Sequence, residues 1–239
     1  MTDPEHRDER ADGRDRDRRG SYADRGVVLF DFDGTLVDTE PCILRACETV
    51  LSAHGLSREE MGDLRRFIGP PLRDCFRDCY GLTEREAAAY ADEYRAVFDT
   101  FSPSDYPVFP GVRELLSDLS SQGRRLAVAT SRLEVRARAM ASELGIEYFD
   151  AIVGMNEPIR HGKADSVRDA LAALSADPGD AVMVGDRHHD VEGARAHGLP
   201  CIGVCYSGTP HEELELAGAD LVCDSIDELR AALGIPATQ

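Results

Sequence analysis

The chain has 239 residues and carries 27 Lys+Arg against 45 Asp+Glu, a formal net charge of −18. That length allows one domain with an insertion, or two small domains, and supplies ample core. The acidity argues against nucleic acid or an anionic membrane as main partner, because like charges repel, but it leaves room for a small phosphorylated ligand that feels only its own pocket.

Residues 1–25 hold 15 charged residues, eight acidic and seven arginine, and almost no apolar ones. Such a segment buries too little surface to offset its chain entropy and is expected to be disordered. Its charges nearly cancel, which speaks against a nucleic-acid arm. Removing it leaves 20 basic and 37 acidic residues, so the acidity belongs to the folded part. A short apolar, β-branched run follows at Gly26–Asp31 and predicts a buried strand.

The next stretch, 41–107, reads as helices only. Leu72, Cys75, Phe76 and Cys79 form one stripe at helical spacing, and Tyr90, Tyr94, Val97 and Phe98 form another. Both are expected to pack against each other in a small bundle. Pro103, Pro107 and Pro110-Gly111 mark the return to the sheet. Helix and strand patterns then alternate: helix Val112–Leu119, strand Leu126–Thr130, helix Glu134–Leu144, and a weaker strand at Ala151–Val153. Next come helix Ala164–Leu174, strand Ala181–Gly185, helix Val191–Ala196, strand Cys201–Val204, a weaker strand at Asp220–Val222 and helix Ile226–Leu233. This pattern predicts an α/β fold: a Rossmann-like, mostly parallel sheet with helices on both faces, made of 26–40 and 108–239, plus an inserted all-helical cap at 41–107.

No apolar run approaches the roughly 18 residues of a membrane span, and the start of the chain lacks the apolar stretch of a secretory signal. The seven cysteines form no CxxC pair and are odd in number, which fits reduced thiols in the cytoplasm. Oligomeric state leaves no signature.

Chemistry concentrates where strands end, the place where open parallel sheets bind ligands. The first strand runs into Asp31-Phe32-Asp33-Gly34-Thr35. Asp31 and Asp33, two apart in extended chain, point to one side, and paired carboxylates want a cation between them. The second strand closes in Thr130-Ser131, either a helix cap or hydroxyl donors aimed at an anion. The strand Ala181–Gly185 is followed by Asp186-Arg187-His188-His189-Asp190. The two histidines suggest a transition metal, yet imidazole ligands usually come with helical spacing or a third partner. Oxygen ligands from Asp31, Asp33 and Asp186 describe a hard cation instead, Mg²⁺ above all. Of the 27 basic residues, 26 are arginine and one is Lys163, in His161-Gly162-Lys163 at a helix start. There a cation opposes the helix dipole unless an anion lies close by.

These four elements, in this order, resemble the haloacid dehalogenase-like hydrolase superfamily, chiefly its phosphatases. The resemblance covers nearly the whole chain from residue 26. Asp31-Phe32-Asp33-Gly34-Thr35 is similar to its first motif, Thr130 to its second, Lys163 to its third, and Gly185-Asp186 with Asp190 to its fourth. The second Asp, Asp33, speaks for phosphoryl transfer and against the dehalogenases, whose first motif lacks it. Phe67-Ile68-Gly69-Pro70-Pro71-Leu72 and Gly185-Asp186-Arg187-His188-His189-Asp190 are similar to a bacterial branch of phosphoglycolate phosphatases and 5′-nucleotidases. Arg187 stands where the wider superfamily often has Ser or Thr, and the Gly-x-Ser-Arg pattern associated with β-phosphoglucomutases is missing from the cap.

The resemblance implies a Mg²⁺-dependent phosphatase for a small phosphorylated metabolite. Asp31 would be the nucleophile that forms an aspartyl-phosphate, and Asp33 the acid–base. Asp31, Asp33 (through its backbone carbonyl) and Asp186 would hold Mg²⁺, with support from Asp190. Thr130 and Lys163 would hold the phosphoryl oxygens, alongside Gly34, Thr35 and Ser131. Arg132, Gly69, Pro70 and Arg73 are expected to choose the substrate. Phosphoglycolate, nucleoside monophosphates and phosphotyrosine all stay open. So do transfer to a sugar hydroxyl, as in a mutase, and, as a different class, a receiver domain, which shares the acidic cluster, hydroxyl and lysine but needs neither Asp33 nor a cap.

Overall fold

The first predicted strand, β1 (Val27–Phe30), is buried along its whole length. In the computed structural model, which describes residues 22–156 and 159–236, it lies inside a six-stranded sheet. Its companions are β2 (Arg125–Leu133), β3 (Ala151–Met155), β4 (Ala181–Gly185), β5 (Cys201–Val204) and β6 (Leu221–Cys223). All pairings are parallel, in the order β3-β2-β1-β4-β5-β6. The expected fold is the one observed.

Alternation along the strands explains the two helical layers. Val28 and Phe30 face one buried cluster, Val27 and Leu29 the other. The first cluster takes in α5 (Val112–Ser121) and α6 (Glu134–Glu143), and the second α7 (Lys163–Leu174) and α8 (His188–Arg195). Two shorter helices, α9 (His211–Ala217) and α10 (Ile226–Ala232), complete these layers.

The insert consists of α1 (Glu40–Ala53), α2 (Arg58–Met61), α3 (Leu72–Tyr80) and α4 (Glu84–Phe98). The two predicted stripes do pack together: Phe76 meets Phe67 at 4.8 Å and Tyr90 at 5.6 Å between ring centroids. Reciprocal caps, Ser57 with Glu60 and Thr83 with Glu86, start α2 and α4. The chain leaves and re-enters the sheet layer side by side, with Val37 bridged to Val108 and the Asp38 N–H donating to the Pro107 carbonyl at 2.8 Å.

Element ends shift by up to a few residues from expectation, as where the helix predicted from Val191 starts at His188, and two further differences stand out. Of the expected disordered segment 1–25, residues 1–21 lie outside the described residues, whereas Tyr22 is buried in the main core, because its ring supplies apolar area that the preceding residues lack. β2 runs past Thr130 to Leu133, with a register irregularity after Ala129 before Leu133 pairs with Met155. All seven cysteines are free. Among the described residues no helix is long and apolar enough to cross a membrane.

Candidate active site

The strand order reverses between β1 and β4, and the crevice outside those two carboxyl ends is the natural ligand position. Asp31 continues β1, its N–H donating to the Val184 carbonyl at 2.9 Å, and Asp186 follows β4 directly. Asp190 stands in the first turn of α8, its carboxylate accepting from the Arg187 N–H at 3.0 Å. One oxygen from each of the three carboxylates lies within 4.8 Å of the others, and all three residues are buried. The close approach depends on glycine. A Cβ at Gly34, whose φ is +76°, would overlap the Asp186 carboxyl, and one at Gly185 would overlap that of Asp190.

Lys163 opens α7 and is 6% exposed. Its Nζ lies 2.6 Å from Asp31 Oδ1 and 2.7 Å from Asp190 Oδ1, and it donates to the Ala129 carbonyl at 3.1 Å. The anion needed to justify a lysine at a helix N-terminus is therefore present twice. Burial opposes its charge, yet Asp190 and Asp31 outweigh that and hold the ammonium above the usual lysine range. One ammonium faces three carboxyl groups, so ionising all three would bury two uncompensated negative charges together. Burial raises the Asp31 carboxyl from 3.8 to about 7 against the pull of Lys163, with Asp190 and Asp33 adding to the rise. Burial, Asp190 and Asp31 push Asp186 well above the carboxylate range. An all-oxygen donor set with surplus buried negative charge fits a hard divalent cation.

The surrounding hydroxyls orient these carboxylates. Thr35, expected at the phosphate, donates its hydroxyl to Asp186 Oδ1 at 3.0 Å. Ser207 and Thr209, in the loop after β5, donate to Asp186 Oδ2 at 3.4 and 3.3 Å, and the Tyr206 hydroxyl donates to the Thr35 carbonyl at 2.6 Å. These three were not anticipated, and their only sequence signal is that they follow the carboxyl end of a strand. Thr130 lies inside the extended β2. Its carbonyl accepts from Ser166 and its hydroxyl from the Arg132 N–H. The following helix is preceded by Leu133, so neither Thr130 nor Ser131 serves as its cap.

Asp33 is 14% exposed and held by both forks of Arg132, with Nη2 2.7 Å from Oδ1 and Nε 3.0 Å from Oδ2. The guanidinium also lies over the Phe98 ring, 4.4 Å from its centroid. Arg132, expected to reach for substrate, is thus spent on Asp33.

Above the cluster lies a cavity of about 410 Å³. The sheet side contributes Asp31, Asp33, Thr130, Ser131 and Arg132, and the insert contributes Phe67, Gly69, Pro70, Leu72 and Tyr94. Of the insert residues expected at the substrate, Gly69 and Pro70 line the cavity and Arg73 does not. Gly34, Thr35, Lys163, Asp186 and Asp190 are not among the lining residues, and Lys163, Asp186 and Asp190 adjoin Asp31. Arg187 ties the two layers. Its Nη1 donates to the Ile68 carbonyl of the insert at 2.6 Å, and its Nε lies 2.8 Å from Glu213 Oε1. His188 Nδ1 pairs with the same Glu213 oxygen at 2.8 Å, while His188, His189 and Glu192 form a separate group apart from the carboxylate trio.

A buried carboxylate at the end of the central strand, backed by an ammonium and opening on a roofed cavity, defines an enzyme's reaction centre. The chain belongs to the haloacid dehalogenase-like hydrolase family, whose family model matches residues 28–204. A 5′-nucleotidase of Pseudomonas aeruginosa is 35% identical over 208 residues, spanning 86% of this chain and 94% of that protein. A protein named tyrosine-protein kinase PtkA from Mycobacterium tuberculosis is 38% identical over 214 residues, 87% of this chain and 72% of that protein. The crystal structure of a phosphatase described as predicted, from Clostridium acetobutylicum, superimposes with a TM-score of 0.80 at 37% identity, covering 86% of this chain and 96% of that one.

Proposed function

We propose that this hydrolase is a Mg²⁺-dependent phosphatase that cleaves a small phosphomonoester through a phosphoaspartate on Asp31. The observation that carries the reading is the position of Asp31, on the cavity wall and backed by Lys163, Asp186 and Asp190. Asp31, Asp186 and Asp190 would hold the cation, whose charge, when bound, screens the nucleophile from the phosphate and keeps Asp31 ionised despite its burial.

The chain's own groups divide the remaining work. The Asp31 carboxylate attacks phosphorus as the bond to the leaving alcohol oxygen breaks, and Asp33 gives that oxygen its proton. Water then attacks the phosphoaspartate and passes a proton to the Asp33 carboxylate, which releases phosphate, frees the Asp31 carboxylate and returns Asp33 to its protonated form. Thr130 and Lys163 steady the phosphoryl oxygens, because phosphoryl transfer depends mostly on position and charge. The fork of Arg132 keeps Asp33 at the cavity edge.

The test is hydrolysis of p-nitrophenyl phosphate with Mg²⁺ and with EDTA. We expect turnover only with the metal, and a loss of at least about 10³-fold in Asp31→Asn, the scale on which removing a covalent nucleophile acts. Full activity of that variant, with deamidation excluded, would overturn the assignment. The 38% identity to a protein named a tyrosine kinase favours a second reading, in which the phosphoaspartate passes to a hydroxyl instead of water. A phosphorylated acceptor in place of inorganic phosphate would mark it.

A further inference from the structure

The chemistry at the floor of the cavity treats any phosphate alike, so the walls must choose the rest of the substrate. They are apolar. Phe67, Leu72 and Tyr94 come from the insert, and Leu133, Val135 and Met155 from the sheet side. Val135 is 75% exposed, an aliphatic side chain left open to water next to the reaction centre. A volume of about 410 Å³ belongs to small-molecule sites in general. A two-carbon body would leave most of these walls uncovered.

The charges in the lining sharpen the choice. Three arginines and three aspartates line the cavity. Arg132 is held by Asp33, Arg136 faces Asp99 at 3.0 Å and Glu143 at 3.1 Å, and Arg95 pairs with Asp92 at 2.7 Å. Each arginine of the lining therefore already faces a carboxylate, and four carboxylates answer three guanidinium groups. A substrate bringing its own carboxylate would meet apolar wall or more negative charge, and would have to break an existing pair to find a cation.

We propose that the preferred substrate is the phosphomonoester of an uncharged alcohol with an apolar or aromatic body, and that phosphoglycolate-like acids are disfavoured. This rests on the phosphatase reading of the same site. The alcohol body lies between the Leu72 and Tyr94 side and the Leu133, Val135 and Met155 side, and its oxygen reaches Asp33.

Alkyl phosphates test this cleanly, since their leaving oxygens differ little while their apolar area grows. With the full chain and Mg²⁺, kcat/KM is expected to rise about fourfold per added methylene, the equivalent of about 0.8 kcal/mol, until the cavity is filled. 2-Phenylethyl phosphate, whose leaving oxygen is also that of a primary alcohol, should exceed ethyl phosphate, and ethyl phosphate should exceed phosphoglycolate, which has the same number of carbons. Val135→Arg, at a side chain exposed enough for folding to be indifferent, adds an uncommitted cation and should raise phosphoglycolate relative to ethyl phosphate several-fold. A flat alkyl series, or phosphoglycolate ahead of ethyl phosphate in the parent protein, overturns the substrate class and leaves the phosphatase reading standing. Failure to hydrolyse any phosphomonoester, p-nitrophenyl phosphate included, overturns both.

Discussion

Asp33 and Arg132 show how much a single side-chain pairing decides. The spacing Asp31-x-Asp33 already marks both carboxylates, and their separate duties follow from what each one touches: Lys163 for Asp31, Arg132 for Asp33. Lysine offers a point charge and cannot replace the fork. Arg132→Lys should therefore behave much like Arg132→Ala, each lowering kcat by about 10-fold to 10²-fold as Asp33 loses its position, with KM for an alkyl phosphate changed far less. Asp31 supplies a second test. Its raised carboxyl means that the metal-free fold binds a proton the unfolded chain has lost between pH 3.8 and about 7. Its contribution to stability is fully present below 3.8 and disappears as pH rises through about 7. Thermal midpoints in EDTA should fall across that window, Asp31→Asn should flatten the fall, and Mg²⁺ should raise the midpoint more at pH 8 than at pH 5. The acids were legible because they follow apolar strand runs directly, and Lys163 because it is the only lysine and stands at a helix start. Ser207, Thr209 and Glu213 were not, because a hydroxyl in a turn and an acid on a short exposed helix look like ordinary surface.

At the scale of elements, α8 is seated by contact with β4. Gly185 ends the strand with no room for a Cβ, since the Asp190 carboxyl fills that space. Gly185→Ala should cost about 1–3 kcal/mol by overpacking and weaken activation by Mg²⁺ as Asp190 is displaced, with calorimetry and a metal titration as the checks. Arg187 and His188 hold α9 through Glu213, whose carboxyl, though partial burial pushes it up, is pulled by these partners down to about 2. A depressed carboxyl stabilises above its unfolded value of 4.5, and that contribution is lost as pH falls through about 2. Glu213→Gln should thus bring acid unfolding to a higher pH. The strands were legible from their β-branched runs. The extension of β2 was not, because Ser131-Arg132-Leu133 looks like a loop until the arginine is buried against Asp33.

For the whole molecule, the acidity read from composition resolves into a solvated surface and one small buried carboxyl cluster that a single ammonium offsets only in part. The insertion was visible as a long break in the strand–helix rhythm, whereas its link to the sheet through Arg187 depends on a backbone carbonyl, which no sequence pattern announces. Lys163, the only lysine in the chain, also has a practical consequence for how the molecule opens. A lysine-specific endoprotease has one possible cut, giving residues 1–163 and 164–239, and the target is enclosed by Asp31 and Asp190. Cleavage therefore requires α7 to part from the sheet, so its rate counts openings of the reaction centre itself. The same peptide bond becomes a gauge of occupancy: any ion or phosphate analogue that tightens the carboxylate cluster should lengthen the life of the intact chain.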